Sequence, residues 1–232
     1  MARITRKELK SDKFALEVGQ TVTFFEEHRT LILRYGAAAL ALAALAFAYM
    51  VYGRHQHAAR QEALFHAMEA QSAPVGAAAG SAALTFPTQE AKDQEATKRF
   101  TEIRNKYPGS EEANIAEFYL GSILTGQGKL TEAEKSYLAV ATDSGAQYSS
   151  LAKLSLAQIY FADGRADMGE KTLRDLMAHP TMFVTKEQAA IALARNLAAK
   201  KPAEARKLLQ PLLSKPGEAG QAASTLNNSL PQ

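Results

Sequence analysis

Cysteine is absent from this 232-residue chain. That rules out a disulfide framework, a thiolate metal site and a cysteine nucleophile. Tryptophan is absent too, and proline and glycine are sparse before the C-terminal tail. With alanine plentiful, that balance favours helices. An excess of one charge is also missing. The 27 basic and 24 acidic residues leave a formal net charge of +3, too small to argue for nucleic acid as a partner. No phosphate-binding glycine loop and no Gly-x-Ser-x-Gly elbow occurs. What the chain does have is 47% hydrophobic and 22% charged residues, enough to expect an ordered, compact fold. Its length suits one modest domain with an appendage, or two small domains.

One stretch has no charge at all: YGAAALALAALAFAYMVYG, residues 35–53, between Arg34 and Arg54. As a helix it covers roughly 28 Å, close to the hydrocarbon thickness of a bilayer. Tyr35 opens it, and Tyr49 and Tyr52 close it, where amphipathic rings suit the headgroup boundary. Its weakness is that eight of the fifteen residues from 36 to 50 are alanine, so Leu40, Leu42, Leu45, Phe47, Met50 and Val51 must supply most of the insertion energy. A cleaved signal peptide is the first rival, because Ala46-Phe47-Ala48 has the small-x-small form of a cleavage site. Against it stand the long segment before the run and the apolar residues after the supposed cut. A buried core helix is the second rival, but the rest of the chain needs its apolar residues for its own core. The expectation is an uncleaved transmembrane helix.

Charge sets its direction. Seven of the 27 basic and five of the 24 acidic residues precede Arg54, so 20 basic and 19 acidic residues follow from there. Basic residues resist translocation, which keeps the N-terminus in the cytoplasm and sends the rest across, into the periplasm of a two-membrane bacterium. Residues 1–34 form the basic cytoplasmic arm. Within it Phe14, Val18, Val22 and Phe25 recur at helical spacing after a capping Ser11 or Asp12, so the arm is expected to be partly an amphipathic helix against lipid or a solvated stub. Residues 54–71 extend the membrane helix. Residues 72–88, with two prolines and two glycines among small residues, read as a flexible insertion, and 214–232 as a disordered tail.

Residues 89–213 repeat. Gly128 and Gly164 each follow a helical run and lie 36 residues apart. Small residues recur at Ala133, Gly169 and Ala205, large ones four positions later at Tyr137, Leu173 and Leu209, and again three further on at Val140, Leu176 and Leu212. Leu120-Gly121 with Leu124 matches Leu156-Ala157 with Tyr160. An earlier copy holds Ala96 and Phe100. Four and seven residues are one and two turns of helix, so small and large side chains share a face and let a neighbouring helix approach. This pattern resembles the tetratricopeptide repeat, an antiparallel helix pair of about 34 residues. Two units, 110–143 and 149–180, resemble it well. A third, 186–213, replaces the glycine turn by Lys200-Lys201-Pro202, and a partial unit at 89–108 shows mainly its second helix. The expected fold is all-α: one N-terminal transmembrane helix, then a small solenoid of helical hairpins.

Chemistry is scarce. Of five histidines only His55 and His57 are close, and two residues apart on a helix they point about 200° away from one another. Glu111-Glu112, Glu132 and Glu134 suit helix starts, where they complement the backbone dipole. Ser149-Ser150 reads as a cap. No enzyme, cofactor or metal is expected. A stack of helix pairs offers a groove for an extended peptide or partner helix, with Asn114, Glu117, Phe118, Lys153 and Gln158 on the first helices as candidate contacts. The layout of basic arm, alanine-rich span and exported repeat domain resembles the ancillary SecYEG translocon subunit family of bacterial inner membranes. The resemblance implies partners among translocon subunits, a membrane-anchored chaperone and exported client proteins, besides membrane lipid. The alternative is a cell-envelope scaffold in division or outer-membrane assembly.

Overall fold

The computed structural model describes residues 29–76, 84–142 and 148–231. The expected amphipathic arm up to residue 28 and the middle of the 72–88 insertion lie outside the described residues. Among the described residues there are nine α-helices and no strand. They are α1 Arg29–Ser72, α2 Gln89–Lys106, α3 Glu111–Gly126, α4 Leu130–Thr142, α5 Ser149–Ala162, α6 Ala166–Ala178, α7 Lys186–Leu197, α8 Pro202–Leu209 and α9 Glu218–Ser229. The architecture is a solenoid-like array of hairpins, in which the helices from α2 to α8 pack chiefly against their neighbours in sequence. The chain divides into two units, residues 1–58 and 59–232.

In the first unit the described part of α1 is apolar and outward-facing, with Leu40, Leu42, Leu45 and Phe47 all exposed. Among the described residues one helix, Arg29–Ser72, is long and apolar enough to cross a membrane.

In the second unit, side-chain oxygens at the starts and glycines at the turns set the helix ends. Thr88 Oγ1 accepts from the Ala91 amide and Ser110 Oγ from the Ala113 amide, each occupying a donor the helix leaves free. Thr185 and Gln188 form a reciprocal capping box at the start of α7. Between α3 and α4, and between α5 and α6, the turns need a residue with positive φ. Gly128 and Gly164 supply it, at 75° and 77°. Ser149 and Ser150 do not cap as expected. Ser149 donates to the Ala141 carbonyl, and Ser150 Oγ accepts from Thr181, so both fasten the helix start to other segments.

The small and large residues of the 36-residue pattern are inside. Ala96, Phe100, Ala133, Tyr137, Leu156, Ala157, Leu173, Ala205 and Leu209 are all buried, as are Leu120, Gly121, Tyr160 and Gly169. They fall into three successive clusters, each shared by neighbouring hairpins. A Cβ on Gly121 would stand 2.9 Å from the Tyr137 ring, so the absence of a side chain lets α3 and α4 close on the aromatic residue. Gly169 does the same for Phe161, at 2.6 Å. Each fully buried leucine or phenylalanine contributes about 1.5–3 kcal/mol.

The C-terminal segment departs from expectation. Residues 214–232 were expected to be disordered, yet 218–229 form α9, which buries Gly220, Ala223 and then Leu230. Gly220 sits so close to the Lys215 carbonyl that an added Cβ would lie 1.9 Å from its oxygen. A glycine that composition reads as a breaker is here a contact residue.

Candidate polypeptide-binding groove

Helices α3, α5 and α7 are the first members of successive hairpins. Outward positions on α5 and α7 meet α9 in a cleft of about 420 Å³. Leu154, Ile191, Ala192, Ala219 and Ala222 give it an apolar floor, and Gln158, Gln188, Arg195 and Glu218 a polar rim. Gln158, Arg195 and Glu218 are exposed, and none makes a hydrogen bond or ion pair among the described residues. An apolar floor with a few free polar groups is the usual make-up of a binding cleft. It can accept side chains and backbone polar groups of another chain.

The sequence-derived candidates scatter around it. Gln158 lies on the rim. Glu117 accepts from Arg104 of α2 at 3.2 Å, and Lys153 donates to Asp175 of α6 at 3.0 Å, so both brace the hairpins. Lys153 holds the Asp175 carboxyl below its usual range, with His179 adding to the effect. Phe118 is half-buried among Tyr119, Tyr137 and Tyr148, with ring centroids 5.2–5.7 Å apart. Asn114 lies on the first turn of α3 and is half-buried. Leu154 escaped notice, although the period gives it away: it stands 36 residues after Phe118. Arg195 and Glu218 carried no such signal, because α7 and α9 lie in the degenerate part of the pattern.

Ion pairs stitch one hairpin to the next. Arg165 donates two hydrogen bonds to Glu134, at 2.8 and 2.6 Å, and its guanidinium lies over the Tyr160 ring. Those bonds hold the Glu134 carboxyl below its usual range. Glu170 is held down likewise by Arg174 and Lys201, and Arg174 reaches Glu204 on α8. Burial raises the Tyr148 hydroxyl, with Tyr119 and Glu111 nearby reinforcing the shift.

A second cleft of about 560 Å³ lies between residues 63–69 and α2. His66 contacts Glu69, and Arg99 contacts Glu95 and the His66 carbonyl. Its lining is mixed, with Ala63, Leu84 and Ile103 beside Glu102, Lys106 and Tyr107. Among the described residues no group of three His, Asp or Glu side chains could hold a metal ion.

Antiparallel hairpins with small-on-large contacts, turn glycines and an open cleft on their first helices define a helical-repeat interaction module. The family model described as a tetratricopeptide repeat-like domain matches residues 23–190, and the chain belongs to that family. Comparison with curated proteins and with solved structures gives no match.

Proposed function

We propose that this chain is a membrane-anchored protein-interaction module that works beside the bacterial secretion channel, receiving exported polypeptides and passing them to chaperones. The cleft of Leu154, Ile191, Ala192 and Ala222, rimmed by the free Gln158 and Arg195, carries the binding part of this proposal. Such a surface fits an extended segment or a helix of another protein, and family membership supports protein partners in general. The uncharged run at 35–53 supports an inner-membrane anchor, and the basic residues before it support a cytoplasmic N-terminus with the repeat unit in the periplasm. The layout shared with ancillary translocon subunits supports the secretion assignment.

The test is a photo-crosslinker at position 158 in the full chain, expressed in bacterial cells. Adducts with secretion-channel subunits and newly exported proteins are expected, at much higher yield than from position 129. Adducts only with division or outer-membrane assembly proteins would replace the assignment with the envelope scaffold. Equal yields from 158 and 129 would remove the groove from the account.

A further inference from the structure

The repeat unit has two edges. At one, the three-residue turns around Gly128 and Gly164 join the helices of a hairpin. At the other, longer returns lead from each hairpin to the next, so α3, α5 and α7 all begin there. Short connections between packed neighbours make successive helices antiparallel, which puts these starts on a common side. The chain enters the repeat unit at that same edge. Its first residue is Ala59, and the next, Arg60, meets Glu112 at 3.2 Å, in the first turn of α3. Ala67, two turns further along, shares a cluster with Leu120 deeper in α3.

The return between α6 and α7 carries an anomaly at this edge. Met182 is 93% exposed and Phe183 is 37% exposed, although Val184 beside them is fully buried. The protrusion is not a loose loop. Thr181 and Val184 close a turn through the Thr181 amide to the Val184 carbonyl, at 2.9 Å, and the Val184 amide to Thr181 Oγ1, at 3.0 Å. Thr181 Oγ1 also donates to Ser150 Oγ at 2.8 Å, which fastens the base of the turn to α5. The Phe183 ring rests against Tyr148, with centroids 5.6 Å apart. Lys186 follows, exposed and without an ion pair among the described residues. A pinned turn thus holds a methionine and a phenylalanine in water, with an amphipathic tyrosine behind them and a free cation alongside.

Only residues 54–58 separate the end of the uncharged run at Gly53 from the entry edge. Five residues, even fully extended, reach at most about 18 Å, so whatever bilayer holds the run lies within a short tether of that edge. We propose that the Met182–Phe183 turn is a lipid-contact element that dips into the interfacial layer of the bilayer holding the apolar run. Exposed aromatic and thioether side chains beside a cation suit that layer, whose boundary takes up apolar surface while leaving the charge in water. This proposal rests on the membrane-anchor reading of residues 35–53.

The absence of cysteine makes the test clean. Full-length chains carrying Met182→Cys, Leu42→Cys or Lys129→Cys are each labelled with one environment-sensitive fluorophore. They are then reconstituted in vesicles of phosphatidylethanolamine and phosphatidylglycerol containing spin-labelled quencher lipids. The expected result is a blue shift and strong quenching at 182 by shallow quenchers, quenching at 42 by deep ones, and little at 129. Adding Phe183→Asp to the chain labelled at 182 should bring its quenching down to the level at 129. Quenching at 42 with 182 behaving like 129 would overturn the lipid contact and leave the anchor standing. No quenching at 42 would overturn the anchor and this proposal together. A blue shift at 182 without lipid quenching would mean that a protein, such as a second copy, covers the turn, and would also overturn the proposal.

Discussion

Two regions of this molecule are rich in alanine and leucine, and they treat those residues in opposite ways. In the apolar run Leu40 is 73% exposed, while in the repeat unit Leu209 is fully buried. Composition does not separate them; arrangement does. Between residues 36 and 50 apolar side chains occupy every face of the helix, so no single neighbour can cover them. From Ala96 onward small and large side chains share one face at one- and two-turn spacing, and a second helix fits them. The first arrangement calls for a solvent of matching polarity on all sides, the second for a partner of matching shape. The same two residue types can therefore mark a lipid-held rod or a self-packed repeat.

The comparison can be broken at either end. The largest effect is expected in the run. Leu42→Arg with Leu45→Arg places two charges at its centre, each costing about 2.5–3.5 kcal/mol of insertion. Because so much of the run is alanine, the margin is small, and the protein should move from the alkaline-washed membrane pellet to the supernatant. Retention in the pellet would argue against a span.

In the repeat unit, Ala133→Glu should destabilise by roughly 3 kcal/mol or more, since it drives a carboxylate into a fully buried small-residue contact. Thermal unfolding of the full chain followed by circular dichroism would read it, and an unchanged midpoint would refute the helix register. Gly121→Val comes next, at about 1–3 kcal/mol, because the Tyr137 ring it strikes is buried and cannot swing aside. Gly169→Ala should cost less despite a tighter clash, because Phe161 is only half-buried and can yield. The reverse order would mean that the two hairpins are packed by different rules.

The smallest effect is electrostatic. Arg165→Gln should lower stability only slightly, as expected of a solvent-screened pair. Glu134 carries its signature in pH. Its folded carboxyl lies below the usual 4.5, so the unfolded chain takes up the proton first as pH falls. The stabilisation is complete above about pH 4.5 and is lost as pH drops through the folded value. Acid unfolding of the Arg165→Gln variant should start from a lower plateau and show a shallower loss. Parallel acid limbs in variant and parent would show that the pair adds nothing.

The repeat was legible because it rests on local rules. Gly128 and Gly164 mark turns that need positive φ, and the Ala133–Tyr137 spacing marks a helix face, so neither requires knowledge of distant residues. The groove was legible only in part. Glu117 and Lys153 stand one period apart on the first helices of their hairpins, as contact residues would. Their partners, Arg104 and Asp175, belong to other helices that sequence spacing does not pair with them. The wall formed by α9 was hidden for another reason. Pro216, Gly217 and Gly220 resemble a disordered tail in composition, and only the close approach to the Lys215 carbonyl shows what Gly220 is for.

The proposed division between a lipid-held rod and a water-facing repeat can be tested with one pair of probes. In a chain without native cysteine, Leu42→Cys and Gln158→Cys are treated with a membrane-impermeant maleimide in opened membrane vesicles, before and after detergent. The account predicts that position 158 reacts at once while position 42 reacts only when detergent removes the lipid. Equal reactivity at the two positions in intact lipid would contradict it.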